Sequence, residues 1–437
     1  MVHHTMKPSK PSASSASTMI SHMTRHSRQL AWLAALALAA CTTAPRQPPP
    51  APPPAPSVPT VTRAVYELQS PDALPPVSDA EVRAAWPAWL TSCRTLARRV
   101  PWQNACERAA GVTADDPAAL RRYASETFDA YRIRAETRES APPAGTEART
   151  LGVANEGRMT GYYEPELLGS RTRSAPFVVP LHRAPEDLVT VELGSLYPEL
   201  KNQRVRGRLE TTTPQGAWRV VPYWSRAELE SGERLQGKEI VWVDNAVEAF
   251  FLQIQGSGRV RLPDNSVIRV GYADQNGHPY RSVGRWLVDR GELPLEHASL
   301  QGIRAWTERN PQRLSELLNQ NPSYVFFREL PLGDPRAGPL GAMGLPLTAG
   351  YSVAVDPQFV PLGAPLLIRT THPTDRSEIV RWMLAQDTGG AIRGPLRFDF
   401  YWGTGSGAGE QAGRQRGDAA AWLLVPKGVR PEALLSR

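Results

Sequence analysis

Beyond residue 150, short apolar runs separated by glycine and proline constrain the fold more than any other feature. The chain has 437 residues, including 42 prolines and 34 glycines, and this composition favours strands and turns over helix bundles. The predicted strands are Phe177–Leu181, Glu239–Val243, Ala249–Gln255, Val267–Ala273, Tyr324–Phe327, Tyr351–Val355, Leu366–Thr370, Ile379–Gln386, Arg397–Tyr401 and Ala421–Val425. The pattern predicts a mainly β protein with flanking helices, of the α+β class, and the length allows two or three domains.

Apolar residues at helical spacing predict helices on both sides of the first group of strands. We expect the folded part to begin near Ser78. The expected helices are one that ends at Pro101, one that begins at Asp116 and Pro117, and three over Ser282–Arg290, Ser299–Glu308 and Pro311–Asn319.

The N-terminus carries the pattern of an export signal. An uncharged run of 11 residues, Leu30 to Ala40, follows a basic segment and is too short to cross a membrane, which takes about 20 residues. Leu38–Cys41 resembles the cleavage site of bacterial lipoproteins. This resemblance implies a signal peptide over residues 1–40, a lipid on Cys41, and the periplasmic face of the outer membrane. A soluble secreted protein is the alternative.

A proline-rich segment follows the expected cleavage site. Nine of the fifteen residues from Pro45 to Pro59 are proline, which is typical of a semi-rigid polyproline spacer. Residues 41–78 are therefore expected to be a lipid-anchored linker that holds the folded part away from the membrane surface.

Neither charge nor residue spacing indicates a nucleic-acid or metal site. The formal charge is +7, but residues 1–40 hold four of the 50 basic residues and none of the 43 acidic ones. The remainder has 46 basic residues against 43 acidic ones, and its histidines stand singly. We expect no nucleic-acid partner, no metal and no cofactor.

Cys93 and Cys106 are 13 residues apart in a chain expected to be exported. Disulfides form in such an oxidising compartment, so a bridge between them is predicted. Two buried reduced thiols are the alternative, because sequence does not show whether the two side chains meet.

The strongest candidate for chemistry lies between two predicted strands near the C-terminus. The first strand runs into Asp387, a turn with Gly389 and Gly390 reverses the chain, and the second strand carries Asp399 between two phenylalanines. A carboxyl group among aromatic side chains can be desolvated, which raises its pKa and keeps a proton for general-acid catalysis. The alternatives are a solvated Asp399 on the outer face and an Asp387 that caps the glycine turn.

Two other motifs near these residues are less specific. Asp387-Thr388-Gly389 has the form of the aspartic protease tripeptide, but those enzymes need two such loops and no second one occurs. The glycine-rich run Gly403–Gly409 suggests a dinucleotide loop, yet no apolar helix follows it in the sequence. A flexible surface loop is therefore expected there.

Four separated segments, in order along the chain, carry a resemblance to a known family. They are Gly161–Pro165, Gln253–Gly258, Asn321–Phe327 and the block from Gly350 to Asp399. Together they resemble the membrane-bound lytic murein transglycosylase A (MltA) family over residues 150–437. The resemblance implies a double-psi β-barrel catalytic domain with N-terminal helices from residues 79–165 and 296–437. It also implies an inserted β domain over residues 166–295, with a glycan groove between the two.

The same resemblance implies an activity and a set of site residues. The family cleaves the β-1,4 bond between N-acetylmuramic acid and N-acetylglucosamine without water and forms 1,6-anhydromuramyl products. Asp399 corresponds to the catalytic acid and Asp387 to its partner. The implied substrate-binding residues are Thr160, Tyr162, Gln255, Gly256, Ser257, Gly389 and Gly390.

One carboxyl group suffices for this reaction, because the tethered C6 hydroxyl of the substrate replaces water as the attacking group. A packing role is the alternative for Tyr162 and Tyr163, and Glu164 is left outside the chemistry. The alternative functions are a hydrolase that uses Asp387 and Asp399 as a pair, and a murein-binding lipoprotein without activity. We expect a monomer that binds peptidoglycan strands and meets a murein synthase or divisome proteins.

Overall fold

Three β-sheets and nine α-helices make up the described part of the chain in the computed structural model. That part comprises residues 60–435 apart from 141–146, 198–199, 201–203, 212–215, 332 and 335. The predicted signal peptide, Cys41 and the Pro45–Pro59 spacer lie outside it.

The elements are short, and the strands have three to twelve residues. The first nine strands are β1 (Thr60–Gln69), β2 (Phe128–Glu139), β3 (Thr150–Ala154), β4 (Gly157–Glu164), β5 (Glu166–Ser170), β6 (Val179–His182), β7 (Val189–Val191), β8 (Val205–Thr211) and β9 (Trp218–Val221). The others are β10 (Glu239–Val243), β11 (Ser257–Arg261), β12 (Val267–Gln275), β13 (Val325–Leu330), β14 (Ser352–Ala354), β15 (Pro365–Thr371), β16 (Glu378–Asp387), β17 (Arg397–Thr404) and β18 (Arg416–Pro426). The helices are α1 (Asp79–Leu96), α2 (Val100–Ala109), α3 (Pro117–Thr127), α4 (Arg226–Glu230), α5 (Ala246–Gln255), α6 (Val283–Asp289), α7 (Leu300–Arg309), α8 (Leu314–Leu318) and α9 (Ser406–Arg414).

The largest sheet contains a closed ring of strands. Its order is β1-β2-β18-β15-β16-β14-β17-β4, with β3 beside β2, and β4 also pairs with β18. The six strands from β18 to β4 therefore form a barrel, and β1, β2 and β3 extend it on one side. Met159, Phe398, Phe400, Leu366 and Leu423 are among the apolar side chains buried in its core. The mainly β class with flanking helices is confirmed.

The second sheet begins where the barrel strand β4 ends. Its order is β13-β12-β11-β5-β10-β6, and Pro165 alone separates β4 from β5. The sheet reaches Leu330, beyond the boundary at residue 295 expected from the sequence, because Phe327 on β13 packs with Leu167 and Val260. A third, three-stranded sheet has the order β7-β8-β9.

Side chains cap the first and third N-terminal helices, and the first helix ends earlier than predicted. Asp116 caps α3 through the amide of Ala118, as its sequence predicts. The helix expected to reach Pro101 ends at Leu96, and Pro101 lies in the first turn of α2, where its missing N–H is tolerated. Strand β1 was also not predicted, so the folded part begins before Ser78. The disulfide predicted between Cys93 and Cys106 is present and ties α1 to α2.

Two local predictions are wrong. The run Ala249–Gln255 is helical as the end of α5, which Asn245 caps and which ends at Gly256 with φ of +78°. A short apolar run fits a strand or a buried helix equally well, so the pattern did not separate them. The run Gly403–Gly409 is not a flexible loop, because α9 begins at Ser406 and buries Gly409. A Cβ atom on Gly409 would lie 2.8 Å from the ring of Tyr163.

No helix within the described ranges is both long and apolar enough to span a bilayer.

Candidate active site

Asp399 lies on the barrel strand β17 with its side chain on the face opposite the barrel core. Its neighbours Phe398 and Phe400 are fully buried in the core, as strand alternation requires. Asp399 itself is half-buried, and burial raises its pKa from 3.8 to about 6. Asp399 thus lies on the outer face, as the alternative expects, but it is partly desolvated there, and about a tenth of it is protonated at pH 7.

The neighbouring strand β4 supplies a hydrogen bond to this carboxyl group. The two strands are parallel, and their register places Thr160 beside Asp399. Thr160 Oγ1 donates to Asp399 Oδ1 at 2.6 Å. This bond and the nearby Arg397 guanidinium lower the pKa of Asp399, whereas the negative charge of Asp387 raises it. Burial is the largest of these effects.

Asp387 stands across one strand from Asp399. Strand β14 lies between β16 and β17, and Ala354 on β14 is in register with both aspartates. Adjacent strands are about 4.8 Å apart, so the two backbones are about 10 Å apart. Residues in register point to the same face of a sheet, and the small side chain of Ala354 is the only one that β14 places between the two carboxyl groups.

Three donors hold the carboxylate of Asp387. The Tyr162 hydroxyl donates to Oδ2 at 2.9 Å, and the amides of Ala342 and Thr388 each donate to Oδ1 at 2.9 Å. Burial raises the pKa of Asp387, and these bonds oppose that change. Among the described hydrogen bonds, Asp387 thus accepts from the amide of Thr388 and not from the Gly389 and Gly390 amides of the capping alternative, and it also faces Tyr162.

The two adjacent tyrosines have different roles. Burial and the negative charge of Asp387 raise the pKa of Tyr162 well above its ordinary value, so its hydroxyl remains a donor. Tyr163 points to the other side of β4, where it is buried against Phe250 and Phe251. The packing alternative therefore applies to Tyr163, whereas Tyr162 belongs to the aspartate cluster.

The predicted Gln255–Ser257 segment reaches this cluster through the backbone of β4. Gln255 ends α5, and its side-chain oxygen accepts from the amide of Tyr163 at 3.1 Å. Gly256 and Ser257 follow at the start of β11 and are half-buried. Gly389 and Gly390 continue the turn after Asp387, and Gly390 is exposed. The structure thus joins Thr160, Tyr162 and the two aspartates by direct hydrogen bonds and register. Of the remaining predicted residues, Gln255 bonds to β4, and Gly389 and Gly390 follow Asp387 in the turn.

Glu164, left outside the chemistry, is the centre of a buried ion-pair network that sequence reasoning missed. Only 1% of its side chain is exposed. It accepts from Arg259 Nε at 2.8 Å, from an Arg269 guanidinium nitrogen at 3.2 Å and from Thr404 Oγ1 at 3.0 Å. Both arginines belong to the second sheet, whereas Glu164 and Thr404 belong to the barrel. The network therefore fixes the two sheets against each other next to the aspartates.

Metal-ligand geometry gives no candidate among the described residues, since no three His, Cys, Asp or Glu side chains there could share an ion.

Comparisons with known proteins identify the family. A family model described as the MltA specific insert domain matches residues 158–328, and a 3D domain model matches residues 351–425. Membrane-bound lytic murein transglycosylase A of Escherichia coli K12 is 33% identical over 282 residues, which cover 62% of this chain and 67% of that protein. The crystal structure of MltA from Neisseria gonorrhoeae is 35% identical, covers 87% of this chain and 97% of that chain, and has a TM-score of 0.69. The chain belongs to the MltA family.

Two other solved structures support the fold. The lytic transglycosylase LtgG of Burkholderia pseudomallei is 38% identical, covers 85% of this chain and 98% of its own, and has a TM-score of 0.55. E. coli MltA with bound chitohexaose is 26% identical, the match covers 82% of this chain and 93% of that chain, and the TM-score is 0.59. The double-psi β-barrel expected from the MltA resemblance is confirmed, because the matched 3D domain is of that type and the MltA structures share the fold.

Proposed function

We propose that this protein cleaves the β-1,4 bond between N-acetylmuramic acid and N-acetylglucosamine in peptidoglycan and forms a 1,6-anhydromuramyl end. Membership of the MltA family supports the reaction, since its relatives are named lytic murein transglycosylases. The observation that carries the proposal is the half-buried Asp399, whose pKa of about 6 suits a general acid.

In the first step Asp399 acts as the acid. Its carboxyl proton passes to the glycosidic oxygen while the bond from that oxygen to C1 of the muramic sugar breaks. The N-acetylglucosamine leaves with a hydroxyl group, and positive charge develops on the muramic ring, as in an oxocarbenium ion. Asp399 is then a carboxylate beside that charge and stabilises it.

In the second step the same residue acts as the base. The carboxylate takes the proton from the C6 hydroxyl, and O6 forms a bond to C1. This closes the 1,6-anhydro ring and returns the proton to Asp399, so that no water is consumed. The C6 hydroxyl is tethered to the reacting ring, and its high effective concentration replaces an activated water.

The surrounding residues position Asp399 and the glycan. Thr160 orients the carboxyl group, and Asp387, held by Tyr162, raises the pKa of Asp399 through its charge. In this proposal the segment Gln255–Ser257 and the turn at Gly389 and Gly390 offer neutral hydrogen-bonding groups for the hydroxyl and acetamido groups of the sugars. Glycines at these positions let the backbone approach a sugar closely.

Product mass distinguishes this function from its alternatives. Purified protein is incubated with sacculi, the soluble products are separated, and their molecular masses are measured by mass spectrometry. A transglycosylase product is lighter than the hydrolase product by one water and lacks a reducing end, whereas a murein-binding lipoprotein without activity releases nothing. Reducing ends in the product would favour the two-carboxylate hydrolase.

We also propose that a lipid on Cys41 anchors the protein in the outer membrane with its folded part in the periplasm. Support comes from the lipoprotein-like cleavage site and from the relatives named membrane-bound. Diacylglycerol and a further acyl chain together give stable anchoring. Cys41→Ala should leave a precursor outside the outer-membrane fraction, whereas recovery of the variant in that fraction would contradict the lipoprotein assignment.

The sheets support a domain division that modifies the expected boundaries. The barrel domain takes β1–β4 and β14–β18 with the N-terminal helices, and the inserted domain runs from residue 166 to Leu330, the end of β13. Limited proteolysis tests this division. A cut between Leu330 and Ser352 should leave residues 166–330 as a folded fragment, because all strands of the second sheet lie before the cut.

A further inference from the structure

Three neighbouring strands carry a lattice of polar side chains next to Asp399. One row across β17, β4 and β18 is Asp399, Thr160 and Arg416, and the next row is Arg397, Arg158 and Asp418. These rows are two residues apart along each strand and so lie on the same face, about 7 Å from each other. The face that carries the catalytic carboxyl group therefore continues into a row with two adjacent arginines.

Those two arginines are an unusual pair for a sheet. Arg158 and Arg397 stand in register on neighbouring parallel strands, and like charges placed directly opposite each other destabilise a sheet. Arg397 lies near the carboxyl group of Asp399 and donates to the carbonyl of Phe398 at 2.6 Å. Arg158 makes no ion pair within the part of the chain that the structure describes, although Asp418 stands in register with it on β18. A bound anion would relieve this repulsion.

Arg158 also lines a cavity. The cavity has a volume of about 570 Å³, which is within the range of small-ligand sites. Its charged lining residues are Arg158, Arg369, Arg376, Arg416, Glu156, Glu378 and Asp418. Glu156 accepts from Arg369 at 2.9 Å, and Arg416 donates to the carbonyl of Ala298. Arg158 and Arg376 are exposed and make no ion pair within the described residues.

The proposed substrate brings anions to this position. The muramic sugar at the scissile bond carries a lactyl group on C3, and in intact peptidoglycan the stem peptide extends from it with free carboxylates. This substituent is attached to the same ring as the C1 atom that reacts at Asp399. It therefore extends from the bound glycan at a point within one sugar width of Asp399. The planar guanidinium of arginine matches a carboxylate with two parallel hydrogen bonds.

We propose that Arg158 and the cavity it lines bind the carboxylates of the substituent on C3 of the muramic sugar, and chiefly those of the stem peptide. This inference rests on the proposed function and extends it to the part of the substrate beyond the glycan chain. The site selects peptidoglycan strands over neutral glycans of the same length.

The test measures affinity for three glycans in a cleavage-inactive Asp399→Asn background. The ligands are stem-bearing murein glycan, the same glycan stripped of peptide so that only lactyl carboxylates remain, and chitohexaose, which has no carboxylate. Selectivity is the affinity for a murein glycan divided by that for chitohexaose. Arg158→Gln should lower the stem selectivity about fivefold to tenfold, the range expected for losing one charge-assisted contact.

Two further variants complete the test: one should change the selectivity in the opposite direction, and the other is a control. Asp418→Asn removes a negative charge from the cavity and should raise the stem selectivity by about twofold to threefold. Arg122→Gln removes an exposed arginine of α3 that does not line the cavity, and it should leave the selectivity unchanged. Both cavity substitutions are at exposed side chains, and thermal unfolding of each variant shows whether it is folded.

The outcomes separate this inference from the proposed function. A loss confined to stem-bearing glycan supports the stem peptide. An equal loss for stripped glycan shows that the site also binds the lactyl carboxylate, which is free only after the peptide is removed. Equal loss for chitohexaose, or selectivity that matches the Arg122→Gln control, overturns the inference. If the wild-type protein forms no 1,6-anhydro product from either murein glycan, the proposed function itself fails.

Discussion

Thr160 and Asp399 are 239 residues apart in the chain, and a hydrogen bond of 2.6 Å joins their side chains across two parallel strands. The bond orients one carboxylate oxygen and favours the charged form of Asp399, against burial, which favours the neutral form. The balance leaves the pKa at about 6, which lies between the pKa of an ordinary carboxylic acid and a neutral pH. A group with this pKa can both donate and accept a proton within one catalytic cycle.

Asp399→Asn should abolish cleavage and leave glycan binding nearly unchanged. A general acid accounts for about 10²- to 10⁴-fold in rate, and the neutral amide keeps the shape of the side chain without a transferable proton. The measurement is release of anhydromuropeptides together with binding to sacculi. Asp115→Asn, at an exposed loop position, is the matched control, and an active Asp399→Ala protein would contradict the site assignment.

Thr160→Val and Asp387→Asn should move the pH profile in opposite directions. The acid form of Asp399 is needed for cleavage, so kcat/KM falls as pH rises through its pKa of about 6. Valine removes a bond that lowers this pKa and should shift the fall to higher pH, whereas loss of the Asp387 charge should shift it to lower pH. Each shift should be about one pH unit or less. Shifts in the same direction would contradict these roles.

The stability of the protein should depend on pH through Asp399. Its pKa rises from 3.8 to about 6 on folding, so the folded state holds an extra proton between these values. The free energy of unfolding therefore decreases as pH rises from about 4 to about 6, by about 1 to 3 kcal/mol. Urea denaturation at pH 4 and pH 7 should show this decrease in the wild type and a smaller one in Asp399→Asn. Identical pH dependence in both proteins would rule out a raised pKa.

Glu164→Gln should destabilise the protein far more than a similar change at the surface. The substitution leaves Arg259 and Arg269 buried beside a neutral amide, and breaking a buried ion pair costs about 3 to 5 kcal/mol. Glu166→Gln is the matched control, because its 2.6 Å pair with Arg261 is partly exposed and is worth about 1 kcal/mol or less. Equal urea midpoints for the two variants would show that the buried network stabilises the protein no more than the exposed ion pair does.

Chelation should leave the activity intact. The proposed steps use only a carboxyl group and the substrate's own hydroxyl, and no triad of metal-binding side chains is found in the described part of the chain. Anhydromuropeptide release is measured before and after dialysis against EDTA. Loss of activity that a divalent ion restores would reveal a metal site that the described residues do not show.

The sequence predicted those elements whose pattern is local. Glu239–Val243 is a strand with the predicted bounds, and the alternation around Asp399 puts Phe398 and Phe400 in the core as expected. The apolar run before Gln255 was misread, because its period suits a buried helix as well as a strand. The helix at Ser406 was missed because glycines, which are poor helix formers, are tolerated there for close packing against Tyr163.

The contacts that define the site could not be read from local pattern. The parallel pairing of β4 with β17 brings Thr160 to Asp399, and the partners of Glu164 are 95 and 105 residues away. Periodicity reports which face of a strand is apolar but not which strand lies beside it. Thr160 was therefore named as a substrate-binding residue from family resemblance, whereas its bond to Asp399 emerged only from the register.

Strand β18, the last strand among the described residues, lies between β2 and β15 and also borders β4. Synthesis runs from the N-terminus, so this strand emerges after all the predicted site residues. Closing a barrel with so distant a segment is slow compared with forming local contacts. A chain that stops before Arg416 contains both aspartates but lacks the wall strand beside Thr160. The wall of the site is therefore completed by a strand that carries none of the predicted site residues.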